Sequence, residues 1–168
     1  SMFWSTGSKS TNFSLNLGNE FNTSKVITMV SMFSWTGGNS TNFTLDLGDQ
    51  FNTSNVTNMY GMFSSTGNIK SNFTLNLGNE FNTSKVTDMS DMFFWSATSS
   101  LNLGNEFNTS NVIDMSDMFA GLGMSQNNFR LNLGNQFNTS KVTNMRYMFS
   151  NTGYSSSWTL NLKSFDFS

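Results

Sequence analysis

Four aspartates, Asp88, Asp91, Asp114 and Asp117, are the side chains whose type and spacing come nearest to chemistry. They occupy equivalent places in two successive stretches, so stacking would gather them into an oxygen-rich cluster of the kind calcium favours. The plain alternative is that they are exposed and tolerated, because the equivalent places elsewhere hold Thr28, Asn58 and Asn144. A hydrolase built on paired carboxylates needs one of them in an apolar setting that tunes it into an acid, and no such setting is visible. The chain has no His and no Cys. That removes the usual general base, the commonest metal ligand, thiolate chemistry and disulfides. The expectation is a protein without catalytic residues, metal or cofactor.

The remaining polarity comes from Asn, Ser and Thr. A net charge of −2 with 11% charged residues offers no basic surface for nucleic acid or anionic lipid. No apolar run is long enough for a membrane span, and no signal-peptide pattern opens the chain. Asn-Thr-Ser recurs at 22, 52, 82, 108 and 138. It reads as a side-chain-to-backbone turn and also as a glycosylation acceptor, as do Asn12, Asn39, Asn42, Asn55 and Asn72.

What positions these residues is one sentence repeated. Leu-Asn-Leu-Gly, with Asp46 in place of Asn in the second copy, begins copies at Leu15, Leu45, Leu75, Leu101 and Leu131, with a shortened version at Leu160. The spacings are 30, 30, 26, 30 and 29 residues, and the four-residue deletion falls between Phe93 and Leu101. Because both flanking copies keep their register, that spacer reads as a loop free to change length. An aromatic precedes the leucines at Phe13, Phe43, Phe73, Phe129 and Trp158 but not in the short spacer. Phe-x-Leu-x-Leu alternates with period two, as a strand with one buried face should. The Val, Met, Met-Phe series that follows (for example Val86, Met89, Met92, Phe93) has spacings of three and predicts a short helical or 3-10 turn at Met-x-x-Met-Phe.

One copy alone cannot fold. Its eight inward side chains contribute roughly 12–24 kcal/mol, against about 30–60 kcal/mol to order its backbone. Identical copies laid in register bury each other's flat faces, which predicts a mainly β solenoid of about six coils forming one domain over 1–168. The chain starts in mid-repeat, which suggests a fragment of a longer array. Uncapped ends then favour end-to-end self-association.

Phe-Asn-Thr-Ser-Lys-Val-Thr-Asp-Met-Ser-Asp-Met-Phe at 81–93 and its copies, each preceded by Leu-Asn-Leu, resembles the BspA-like leucine-rich repeat surface proteins, in the branch shared with mycoplasma surface lipoproteins. The resemblance implies a right-handed leucine-rich-repeat-like solenoid, an extracellular or cell-surface location, and adhesion or protein binding. It supplies no catalytic residues. Gly18 and its equivalents, and Ser34, Ser64 and Ala120 after Met-Phe, depart from patterns common in that family.

Candidate partner contacts are sought where copies differ. Trp4, Trp35, Ile69, Phe94, Trp95, Arg130 and Tyr154 break an otherwise uniform chain, and exposed aromatics suit a binding edge. Loop drift explains the same variability. The outward Ser/Thr and Asn columns read as a solvated face with Asn bonded between coils, or as a protein- or glycan-binding face, or less readily as an ice-binding one. The expected function is a non-enzymatic surface module that binds a protein or glycan. A structural stalk that only sets length is the alternative.

Overall fold

The structure is a computed structural model that describes residues 1–67, 72–161 and 165. Five short strands follow in order: β1 (Asn12–Asn16), β2 (Asn42–Asp46), β3 (Asn72–Asn76), β4 (Ser100–Asn102) and β5 (Arg130–Asn132). They sit where the period-two pattern predicts. In β2, Phe43 and Leu45 face the core while Asn42 and Thr44 face outward. β1, β2 and β3 pair in parallel with each residue opposite its own copy, Phe13 to Phe43 to Phe73 and Leu15 to Leu45 to Leu75. β4 pairs with β5 in the same way. Parallel pairing of copies one repeat apart makes the chain a β-solenoid, and β1 to β5 spans four turns. The expected sixth coil is not described as a coil: Leu160 and Asn161 carry no strand, and residues 162–164 lie outside the described residues.

The second arm of each turn is held by isolated parallel bridges running Thr28, Asn58, Asp88, Asp114, Asn144. The expected helical or 3-10 turn is absent, and no helix occurs among the described residues. Met32 N–H does bond the Met29 carbonyl at 3.1 Å, so the i, i+3 contact exists. The residue between, however, is left-handed in every coil: Ser31, Gly61, Asp91, Asp117 and Tyr147 have φ of +50° to +58°. That conformation stops helical winding and turns alternate N–H groups sideways. Ser31 donates to Tyr60 at 2.8 Å and Phe33 to Met62 at 2.9 Å in the next coil. The arm is a run of β-turns stitched to its neighbours.

Between the arms lies the core. Phe33, Phe63, Phe93 and Phe119 are fully buried, and with Phe3 and Phe149 their rings stack at 5.2 to 5.8 Å. The buried Thr column is polar but satisfied: Thr23, Thr53, Thr83 and Thr109 donate their Oγ1 hydrogens to the Asn52, Asn82, Asn108 and Asn138 carbonyls at 2.7 to 2.9 Å. Asn22, Asn52 and Asn82 accept the Ser24, Ser54 and Ser84 N–H groups, so Asn-Thr-Ser makes the side-chain turn its sequence predicts.

The deletion has a consequence beyond loop length. No pairing joins β3 to β4, so the strand arm splits into a three-stranded and a two-stranded sheet. The turn arm crosses the same point unbroken, with Met89, Asp91 and Phe93 N–H groups bonded to Asp114, Ser116 and Met118 carbonyls at 2.9 to 3.0 Å. The glycine column records the same break. A Cβ at Gly78 would overlap the Gly48 carbonyl and one at Gly134 the Gly104 carbonyl, yet nothing lies within 4 Å of a Cβ at Gly104. Gly134→Ala is therefore expected to cost the left-handed strain of about 1–3 kcal/mol plus a backbone displacement, and Gly104→Ala the strain alone. Urea unfolding of both variants measures the difference, and equal losses would contradict the break.

Candidate functional site

On the turn arm the left-handed positions bring variable side chains to the surface. A second such column follows the buried Phe of each coil: Ser5, Trp35, Ser65, Trp95, Gly121 and Asn151, with φ of +53° to +68°. Gly and Asn tolerate that region, whereas a bulky residue there is strained by about 1–3 kcal/mol. Two coils nevertheless place Trp there, with Trp35 55% and Trp95 40% exposed. One coil separates them, which at about 4.8 Å per coil puts them roughly 10 Å apart.

A shallow groove of about 420 Å³ is lined by Ser31, Ser34, Tyr60, Gly61, Ser64, Asp91, Phe94 and Asp117, of which Ser34 and Phe94 directly precede these tryptophans in the chain. The Phe94 ring lies 6.2 Å from that of Trp95, tilted against it. Burial raises the Asp91 carboxyl above its usual range; a bond from the Tyr60 hydroxyl opposes this, and Asp117, Asp114 and Asp88 add to it. The same carboxylate raises the Tyr60 phenol. The folded chain thus favours protonated Asp91, so this residue's contribution to stability grows as pH falls through the carboxyl range. Asp91→Asn, which also suits φ +56°, is expected to raise the melting temperature at neutral pH by an amount that shrinks toward pH ~4. Scanning calorimetry at the two pH values checks this.

Asp88 and Asp114 have another occupation. Their Oδ1 atoms accept the Ser90 and Ser116 N–H groups at 3.0 and 2.8 Å, and their Oδ2 atoms accept from Asn58 and Asn144. Bonds from Ser116 and Asn144 outweigh burial and lower the Asp114 carboxyl. Among the described residues no group of three or more carboxylates could hold a metal.

Of the sequence-predicted contacts, Phe94 lines this groove, Trp95 lies against Phe94, and Trp35 follows the lining residue Ser34 in the chain without lining the groove itself. Trp4 is exposed one coil before Ser34, on the same face. Arg130 lies away on β5, Tyr154 is exposed beyond the last turn-arm column, and Ile69 lies outside the described residues. Sequence reasoning missed Tyr60. Its signal was present, a Tyr where Val30, Ser90 and Ser116 stand in other coils, but inside the repeated words rather than in a spacer. The outward strand face is bonded to itself, with Asn42 and Asn72 donating to Asn12 and Asn42, and Asn16 and Asn76 to Asp46.

Chemically, the groove pairs aromatic faces with hydroxyl and carboxylate acceptors. Such a surface sets an apolar face beside hydrogen-bond acceptors. A family model described as "Mycoplasma protein of unknown function, DUF285" matches residues 1–97 and again residues 68–168. No curated protein and no solved structure matches the chain.

Proposed function

The chain belongs to the family described as "Mycoplasma protein of unknown function, DUF285", and on that footing we propose that it is a non-enzymatic recognition module, displayed at a cell surface, that binds a protein or glycan and serves adhesion. The observation that carries this reading is the pair Trp35 and Trp95, held exposed in a backbone conformation that disfavours them. Bulky strained residues persist only where something compensates for them: the Trp95 ring packs over Gly121 of the next coil, yet both indoles keep 40% or more of their surface exposed. Large exposed aromatics beside a groove are the anchors from which binding surfaces draw most of their energy. Leu-Asn-Leu strands in parallel register support a closer reading, the right-handed leucine-rich-repeat-like course of BspA-like proteins. A chain without His or Cys supports the absence of catalysis.

The test replaces Trp35 and Trp95 together by Asn, which the left-handed region accepts and which already stands at the same place as Asn151. Beads coated with the chain are expected to adhere to cell monolayers or glycan arrays at least ~10-fold less, a loss of about 1.4 kcal/mol, with unchanged unfolding. Undiminished adhesion would leave the stalk reading standing.

A further inference from the structure

We propose that the gap between β3 and β4 is a second binding site, independent of the aromatic groove, that takes a short uncharged extended segment of another polypeptide through its main chain. The gap encloses about 620 Å³, within the ~300–1,000 Å³ of small-ligand sites. Its walls are strand edges. Leu17, Leu47 and Leu103 donate their N–H groups to the Asp46, Asn76 and Asn132 carbonyls of the next coil at 3.0 to 3.1 Å. The equivalent rung, Leu77 N–H to the Asn102 carbonyl, is missing among the described residues. In a parallel ladder the N–H and C=O of one residue face the same neighbour, so Leu75 and Leu77 face the gap from β3 and Asn102 faces it from β4.

The first rung is replaced by a side chain. Thr98 Oγ1 lies 3.3 Å from both the Ser100 nitrogen and the Phe73 carbonyl oxygen, wedged where strand would bond strand. Beyond the gap the coils rejoin, with Thr83 N–H bonded to the Glu106 carbonyl at 3.4 Å. Closure at both ends excludes a full strand and leaves room for about three or four extended residues at ~3.3 Å each.

Alternating donors and acceptors on two facing edges complement another main chain better than they complement a small molecule, which lacks the repeat. Apolar side chains lie between them: Leu77 and Leu103 are buried, while Leu75 is part-exposed where its copy Leu45 is fully buried. Glu106 is the one charged side chain lining the gap, and Asn82 bonds it. The segment that fits is therefore uncharged with a central apolar residue, and the repeat's own Thr-Leu-Asn-Leu-Gly is such a sequence.

The experiment is amide exchange by NMR on the whole chain, with acetyl-Thr-Leu-Asn-Leu-Gly-amide at millimolar concentration as probe. In the free chain the Leu77 and Asn102 amides are expected to exchange at least ~100-fold faster than those of Leu47 and Leu103. The peptide should slow these two amides ~10-fold or more, and a copy N-methylated at alternate residues should not. Gly104→Asn, which keeps the left-handed turn and projects into open space, should abolish the effect without lowering the melting temperature appreciably. Protection of Leu77 and Asn102 in the free chain equal to that of Leu47, no response to the peptide, or equal binding of the N-methylated peptide would each overturn the proposal.

Discussion

Phe63→Ala is expected to destabilise the chain by about 3–5 kcal/mol, measured as a lower urea midpoint with unchanged denaturant slope. Phe63 is fully buried, its ring stacked 5.5 Å from Phe33 and 5.3 Å from Phe93 and tilted against Phe81 at 6.2 Å. Truncation opens a cavity that neither neighbour can fill, because each is fixed by the next ring in the column. In a solenoid each coil is stabilised chiefly by the two it touches, so the loss falls on two interfaces at once. Phe149→Ala is the comparison: that ring is only partly buried and should cost distinctly less. Equal losses would mean that the stacked column is not the principal support.

The second large effect follows from undoing the deletion. Replacing residues 97–100 with a copy of residues 37–44 restores the four missing residues and the missing aromatic, which would sit between Phe73 and Phe129. The wedge at Thr98 goes with the replaced segment, and β3 and β4 should join into one five-stranded sheet. Burying the new ring contributes about 1.5–3 kcal/mol and three restored rungs about 0.5–1.5 each. Ordering four extra residues costs about 4–8 kcal/mol. These nearly cancel, so the unfolding midpoint should move little while protection of the Leu77 and Asn102 amides rises by about two orders of magnitude. Unchanged exchange there would show that the short spacer is not what parts the strands.

Strand positions and register were legible because Phe-x-Leu-x-Leu has a period only a strand uses, and a 30-residue spacing puts Leu15, Leu45 and Leu75 in line. The turn arm was legible in its buried residues but not in its backbone. A spacing of three at Met29 and Met32 belongs equally to a helical turn and to a β-turn, and the left-handed residue that decides between them is Ser31 in one coil and Tyr147 in another, with no common residue type to announce it. The gap was half legible. The missing residues and the missing aromatic were both visible, but nothing in the letters says whether a loop or the sheet absorbs the loss. Of the groove, Trp35, Phe94 and Trp95 were visible as departures between copies. The meeting of Phe94 with Tyr60 and Asp91 depended on which columns become neighbours once the coils stack.

The repeated residues build the solenoid, and the residues that differ between coils are those proposed to recognise a partner. The direct measurement gives the groove the residues other coils already carry: Tyr60→Ser as at Ser90, Phe94→Ser as at Ser64, and Trp95→Ser as at Ser65. Adhesion of beads coated with this triple variant, beside its urea midpoint, is the readout. Adhesion lost at least ~10-fold with the midpoint unchanged or raised is the result expected; adhesion retained on an intact fold would contradict a recognition role for these side chains.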